Sequence, residues 1–338
     1  MSERILIINV NWIGDVLFST PFIRAVREAH PDGYIACLLH PRCREMLEDN
    51  PRLNEIIVYD EEGAHKNLAG KIKLIARLRK KNFDTAFLLH RSFTKALVAN
   101  LMGAKKIIGY PTKKRAILLT SPVEEPQEET HKVEYFLNIA RSAGIRPGSV
   151  SYEFFVKDSD RIFAEKLLRS NGIDAKDKVV VLCPGGNWDP KRWPKENFAH
   201  LADELAGEFG VKTVISGTVR EAGLAEEIAG MMKHAPVIIC GKTTLKQLAA
   251  VFEKASLVIA NDTGTMHLAV AMKARTIALF GPTSPKITGP YGEGNYNVIF
   301  KNAACDVPCY DMACTDNRCM AAITVQDVFK KAGEAFKR

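Results

Sequence analysis

Short apolar runs alternate with longer amphipathic stretches along most of the chain, the pattern of parallel strands joined by crossover helices. In the first half, Ile5–Val10, Tyr34–Leu39, Ile56–Tyr59, Phe83–Leu89 and Lys106–Gly109 read as strands. Helical periodicity is predicted from Asp15 to about His30, over Cys43–Glu48, over Lys71–Lys81, up to about Met102, and over Val133–Ser142. Thr20-Pro21 either opens a helix, with proline in its first turn, or breaks one that began near Asp15. In Lys71–Lys81 the period turns Ile72, Ile75 and Leu78 inward and Lys73, Arg77, Lys80 and Lys81 outward. Glu124–Glu129 is a polar, acidic loop.

The alternation restarts after a connector, Arg146–Lys157. Val179–Leu182, Val211–Ser216, Val237–Ile239 and Leu257–Ala260 read as strands. Helices are predicted from Trp193-Pro194 to about Phe209, over Val219–Lys233 and over Thr244–Lys254. The stretch Ser256–Thr283 then gives a strand, a polar turn (Asn261-Asp262-Thr263-Gly264), a helix and a second strand ending in Gly281-Pro282-Thr283. Asp262 or Thr263 can cap that helix, whose packing side is Met266, Leu268, Ala269 and Met272. Thr324-Val325-Gln326-Asp327 can cap a last helix, Val325–Phe336. The expectation is an α/β chain of two Rossmann-like domains, 1–155 and 175–322, followed by a C-terminal helix at 323–338.

Length and composition agree with this picture. A chain of 338 residues, 46% hydrophobic and 25% charged, suits two soluble domains of ordinary size. No run approaches the roughly 18 apolar residues that span a bilayer. The N-terminus, MSERILIINV, enters a strand directly and lacks the features of a signal peptide, so a cytoplasmic location is expected. The net charge of +8 points to an anionic partner. It is concentrated in Lys71–Lys81 and in a cluster of Lys105, Lys106, Lys113, Lys114 and Arg115; each reads equally as a solvated face or as a seat for an acidic ligand. Neither cluster carries the interleaved aromatic residues of single-strand binders, so nucleic acid is not an expected partner.

Ligands in such sheets bind at the carboxyl ends of the strands, where the polar turns of this chain lie. No GxGxxG follows the first strand and no GxxxxGK[ST] occurs, which argues against a dinucleotide dehydrogenase and a P-loop enzyme. Asp15 can accept a proton from an attacking hydroxyl, or merely cap a helix. Lys191 and Arg192 follow a glycine-rich turn, Gly185-Gly186-Asn187, that suits an anion but also fits a surface loop. Glu221 stands where carboxylates take ribose hydroxyls, with a helix-start acid as the plainer account. Thr243, in Lys242-Thr243-Thr244, either lines a base or ribose or belongs to a cap. Asp262, Thr263 and Gly264 form a turn whose free N–H groups suit a diphosphate. His267 lies one turn into the following helix, as a sugar contact or as support for the turn.

Four late cysteines, Cys305, Cys309, Cys314 and Cys319, form a CxxxCxxxxCxxxxC pattern. They could bind zinc or a cluster. The spacing lacks the CxxC knuckles of common zinc sites, and reduced or partly disulfide-bonded thiols are the alternative. Cys37, Cys43, Cys183 and Cys240 read as ordinary reduced thiols.

Asn11-Trp12-Ile13-Gly14-Asp15, Lys191-Arg192-Trp193-Pro194, and above all Asn261-Asp262-Thr263-Gly264-Thr265-Met266-His267 with Phe280-Gly281-Pro282-Thr283 resemble the ADP-heptose:lipopolysaccharide heptosyltransferases, glycosyltransferase family nine. The resemblance covers both halves in order and spacing, and the cysteine-rich tail is similar to that of members adding the second heptose. It implies a GT-B fold and inverting, metal-independent transfer of heptose from ADP-heptose to the lipopolysaccharide inner core. It implies Asp15 as base, Lys191 on the donor diphosphate, Glu221 on the ribose, and Asp262, Thr263, Gly264 and His267 as the diphosphate and sugar cradle. Gly186 and Asn187 would lie over the phosphates, although this loop matches the family poorly. The acceptor would be an anionic lipid-linked saccharide (Kdo-lipid A or its heptosylated form), with peripheral contact to the inner membrane. No cofactor beyond the donor is implied; zinc in the tail is a separate, structural expectation. A same-fold transferase with another donor or acceptor, or a nucleotide-sugar-binding protein without activity, are the readings left open.

Overall fold

The computed structural model describes residues 2–112, 114–301, 303 and 305–336. The chain divides into two units, Met1–Phe155 and Val156–Arg338. In the first, strands β1 (Arg4–Ile8), β2 (Tyr34–Leu39), β3 (Glu55–Val58), β4 (Thr85–Leu88), β5 (Lys106–Gly109) and β6 (Ser121–Pro122) form one sheet in the order β3-β2-β1-β4-β5-β6. In the second, β7 (Val179–Cys183), β8 (Lys212–Ile215), β9 (Val237–Ile238), β10 (Leu257–Asn261), β11 (Thr276–Phe280) and β12 (Tyr296–Phe300) run in the order β12-β11-β10-β7-β8-β9. Every pairing in both sheets is parallel. The two orders are the same when each unit is numbered from its own first strand. Both are the doubly wound order, and the α/β, two-Rossmann GT-B expectation holds. The strand order reverses beside β1 in one unit and beside β7 in the other, which is where such sheets open a crevice for ligands.

Central strands are buried throughout because helices cover both faces; β7, β10 and β11 have no exposed residue. One core of the first unit gathers Leu6, Ile8, Ala36, Leu38, Leu74, Leu78 and Leu88. Its counterpart in the second joins Val180, Leu182, Trp193, Phe198, Leu257, Ile259, Leu279 and Met320. Among the described residues no helix is long and apolar enough to cross a membrane.

Several local expectations are refined. The segment after β1 is two helices, Ile13–Phe18 and Thr20–Ala29, meeting at Ser19. Pro21 has no N–H to offer Leu17, and the Thr20 hydroxyl donates to the Leu17 carbonyl at 2.8 Å instead. The basic helix starts earlier than predicted, at Leu68, capped by Asn67, whose side chain accepts from the Gly70 N–H at 2.8 Å. Its buried stripe is Gly70, Leu74 and Leu78, four residues apart, so Ile72 falls on the opposite face and is 56% exposed rather than inward. The helix Asp158–Ser170 was not anticipated: it buries only Ala164 and Leu168, too few apolar positions to show a period. It packs on the helix Leu245–Lys254, where Arg161 grips Glu253 through two bonds of 2.8 and 3.0 Å. Strand β12 was likewise not anticipated: it is a half-exposed edge whose short Val298-Ile299-Phe300 run buries only Ile299. The last helix, Val325–Phe336, carries the expected reciprocal cap: the Thr324 N–H donates to Asp327 Oδ2 at 3.0 Å and the Asp327 N–H to Thr324 Oγ1 at 3.2 Å.

Candidate active site

In the second unit the polar turns after β7 and β10 meet across the switch point. Asn261, the last residue of β10, is fully buried. Its amide donates to the carbonyls of Pro184 (2.7 Å) and Gly185 (3.1 Å), and its oxygen accepts from the Trp193 N–H at 3.2 Å. One side chain thus ties the β10 end to both ends of the glycine-rich loop. Asp262 follows, 6% exposed. Its Oδ2 accepts from Lys191 Nζ at 2.6 Å and from the Thr283 hydroxyl at 2.6 Å, and His267 Nε2 stands 4.0 Å from its Oδ1. Three loops, after β7, β10 and β11, therefore converge on one carboxylate.

The helix Gly264–Ala271 has Thr263 at its N-cap, but neither Asp262 nor Thr263 makes the anticipated side-chain cap. The Asp262 carboxylate is turned to Lys191, and the Thr263 hydroxyl pairs with that of Thr265 at 2.7 Å. The first-turn N–H groups have no carbonyl a turn earlier to bond, so the helix start presents donors and a partial positive charge. With the Lys191 ammonium alongside, half-buried over the Trp188 ring at 4.9 Å, the arrangement can stabilise a dianionic group and the charge it gains on leaving.

Glu221 is a brace as well as a candidate ligand. One oxygen accepts from the Gly186 N–H at 3.1 Å, the other from the Thr218 N–H and hydroxyl at 2.7 and 2.9 Å, joining the turns after β7 and β8. Gly186 is buried, and its carbonyl accepts from Arg192 at 2.8 Å; Asn187 is exposed. Thr243 lies half-buried in the turn after β9, next to Thr244, which caps the helix Leu245–Lys254 with Gln247; no described hydrogen bond joins Thr243 to the Asp262 group. Burial pushes the Cys183 and Cys240 thiols up, to about 12 and about 11, so neither serves as a thiolate nucleophile near neutrality.

In the first unit, Asp15 is half-exposed in the first turn of the helix Ile13–Phe18, at the carboxyl end of β1. The neighbouring switch-point strand, β4, leads into the helix Phe93–Leu101, which carries Lys95. Lys95 is 2% exposed, and its Nζ donates to Asn11 Oδ1 at 2.6 Å and stands 3.3 Å from Glu61 Oε2. Burial lowers its pKa and Glu61 opposes the shift. Arg42 donates to the Asn11 carbonyl at 2.8 Å and stacks over Trp12 at 4.2 Å, leaving that ring 56% exposed. Part of the basic character of the two clusters, open to reading as a solvated face or as an anion seat, is neutralised locally: Arg77 and Lys81 pair with Glu55, and Lys105 pairs with Asp84. Arg115 is fully buried, donating to the carbonyls of Tyr110 and His90, so it is a loop anchor rather than part of a surface patch. Lys113 lies outside the described residues.

Sequence reasoning gave no role to Asn261, Thr283 or Lys95. Lys95 had a signal, a lone lysine on the apolar side of a helix. Thr283 had none beyond its motif, because its contact depends on β10 and β11 being neighbours. All four late cysteines are free thiols. Among the described residues no three His, Cys, Asp or Glu side chains are gathered as a ready metal-ligand set.

This architecture has close counterparts. A 25% identical structure, the glycosyl transferase family 9 from Veillonella parvula, aligns over 99% of this chain and 97% of its own with a TM-score of 0.91. The Escherichia coli ADP-heptose lps heptosyltransferase II structure, also 25% identical, covers 98% of both chains with a TM-score of 0.82. In sequence, Escherichia coli lipopolysaccharide heptosyltransferase 2 is 27% identical over 300 residues, 85% of each chain. The description of Glycosyltransferase family 9 (heptosyltransferase) matches residues 71–319, taking in the Lys191, Asp262 and Thr283 loops, and the chain belongs to that family.

Proposed function

We propose that this glycosyltransferase moves heptose from ADP-L-glycero-D-manno-heptose to the inner core of lipopolysaccharide, by one inverting displacement without a metal ion. The observation that carries this reading is the convergence of three loops on Asp262, which holds the Lys191 ammonium beside a helix start. Lys191 and the first-turn N–H groups at Thr263 and Gly264 take the diphosphate and offset the charge it gains as ADP departs. Glu221 keeps lone pairs for the ribose hydroxyls while bracing the loop, with Thr243 nearby in the chain of turns. His267 and Asp262 face the sugar side, and Gly186 and Asn187 close over the phosphates. Asp15 accepts the proton of the acceptor hydroxyl as that oxygen attacks the anomeric carbon from the side opposite ADP.

The acceptor is an anionic lipid-linked saccharide, Kdo-lipid A or its singly heptosylated form, and the late-cysteine tail favours the latter. Exposed Leu68 and Ile72, one turn apart beside Lys71 and Lys73, suit peripheral contact with the anionic cytoplasmic leaflet. The test is a donor-by-acceptor matrix: ADP-heptose, ADP-glucose and UDP-glucose against both acceptors, following nucleotide release and the mass of the lipid. Turnover confined to ADP-heptose supports the reading. Turnover with another donor or acceptor, and none with these, overturns it.

A further inference from the structure

The function proposed above leaves one motif unused. Between β12 and the helix Arg318–Ala321 the chain has no helix or strand among its described residues, and this stretch carries Cys305, Cys309 and Cys314; Cys319 opens the helix that follows. All four thiols line a single cavity of ≈ 40 Å³, together with Pro190, Pro282, Asp311, Asp316 and Arg318. Four thiolates around one divalent ion leave two net negative charges, and Arg318, already held by Asp316 at 2.5 Å, supplies a cation at the rim.

The cavity also has a defined place. Pro190 and Pro282 in its wall flank Lys191 and Thr283, the two side chains that bond Asp262. This segment and the residues that follow it grip those loops at four further points. The Cys309 N–H donates to the Pro282 carbonyl at 2.7 Å, and Asn317 Nδ2 to the Arg192 carbonyl at 3.1 Å. Trp193 Nε1 donates to the Ile323 carbonyl at 2.8 Å, and Tyr310 meets Trp188 edge-on at 6.0 Å. Gly281 lies so close that a Cβ there would stand 2.5 Å from Met320 Sδ and 3.1 Å from Cys319 Sγ.

We propose that Cys305, Cys309, Cys314 and Cys319 together take one thiophilic divalent cation, of the zinc or ferrous class, and that this cross-link fixes the backs of the Lys191 and Thr283 loops. The thiols surround the cavity without yet forming a ligand set, and the irregular segment between them closes on the ion as it binds, since such sites are seldom preformed without their metal. Four soft sulfur ligands select zinc or iron over magnesium or calcium. Each thiol loses its proton to solvent on binding, so uptake releases protons and weakens as pH falls. The ion sits behind the loops and takes no part in transfer.

The full chain, purified under reducing and anaerobic conditions, is measured for bound metal by elemental analysis after gel filtration. It is also titrated with Co²⁺, whose tetrathiolate complex shows sulfur-to-metal charge-transfer and tetrahedral d–d bands. One ion per chain with that spectrum is expected. Cys309→Ser and Cys314→Ser should each lose the bands and most of the bound metal, and chelation of the wild type should raise the dissociation constant for ADP several-fold while leaving far-ultraviolet circular dichroism unchanged. Absence of bound metal together with absence of the cobalt bands overturns the proposal, as does a stoichiometric site that survives both serine variants. Because metal content and spectrum need neither heptose nor acceptor, the outcome is independent of whether the proposed transfer is correct.

Discussion

A β-carbon at position 185 has nowhere to go while Glu221 stays in place. Built on the Gly185 backbone, it lies 1.8 Å from Glu221 Oε1 and 2.3 Å from its Cδ, and the three nearest atoms all belong to that carboxylate. The Gly185→Ala variant must therefore expel the Glu221 side chain, which is flexible enough to swing out but then surrenders its bonds to the Gly186 N–H, the Thr218 N–H and the Thr218 hydroxyl. A hydrogen bond to a charged group is worth about 1.5–3 kcal/mol net when well buried. Glu221 is half-exposed and water replaces part of what is lost, so about 1 kcal/mol for each bond, or about 2–3 kcal/mol in all, is the expected cost. Urea unfolding of wild type, Gly185→Ala, Glu221→Ala and the double variant forms a complete cycle. With Glu221 truncated the obstruction is gone, and Gly185→Ala should then cost less than about 0.5 kcal/mol. An equal cost in both backgrounds, or no cost in either, would refute the claim that glycine is needed here to make room for the brace.

Other expectations follow from the same contacts. If Lys191 holds the donor diphosphate as proposed, Lys191→Ala removes a charge-assisted partner worth about 1.5–3 kcal/mol, so calorimetry should show ADP binding weakened by roughly 10- to 150-fold; unchanged affinity would remove Lys191 from the donor site. Asp327 is held down from 3.8 to about 2, first by the Thr324 hydroxyl and then by the Thr324 N–H and Lys301. Its folded value lies below its unfolded one, so the stability it contributes is fully present above 3.8 and disappears as pH falls from there through about 2. Wild type should thus be more stable than Asp327→Asn at pH 5, with the difference closing on acidification, and a difference that stays constant would contradict the assignment. Leu68→Ser with Ile72→Ser should leave thermal stability within about 0.5 kcal/mol, since both side chains are exposed, yet reduce sedimentation with vesicles rich in anionic lipid; undiminished sedimentation would exclude this face from membrane contact.

The elements with strong apolar periods were legible in the sequence, and so were the polar turns that the structure brings together around Asp262. Leu257–Ala260 is a run of buried aliphatic residues closed by Asn261 and the turn after it, which fixes a strand and a helix start without tertiary information. What the sequence could not supply was who meets whom across the sheet. Thr283 reaches Asp262 only because β10 and β11 pair in register, and Asn261 spans to the glycine-rich loop only because β10 lies beside β7. The cap expected at Asp262 was displaced by a better partner, a lysine some seventy residues earlier in the chain. Ile72 was misplaced for a different reason: in a basic helix only 12 residues long, two apolar stripes compete, and Leu74 with Leu78 wins because those positions face β-sheet core residues. Helix Asp158–Ser170 buries only Ala164 and Leu168 and adds the Arg161–Glu253 ion pair to its neighbour, a contact that periodicity does not register.

The central claim is that Asp15 removes the acceptor proton in a heptose transfer whose donor is held by other residues. Wild type and Asp15→Ala, incubated with ADP-heptose and singly heptosylated Kdo-lipid A, are compared by the mass of the lipid product and by calorimetric affinity for ADP-heptose. A general base contributes roughly 10²- to 10⁴-fold, so Asp15→Ala should bind the donor as wild type does while the rate of heptose addition falls by at least about 100-fold. Heptose addition by Asp15→Ala at close to the wild-type rate would contradict the account.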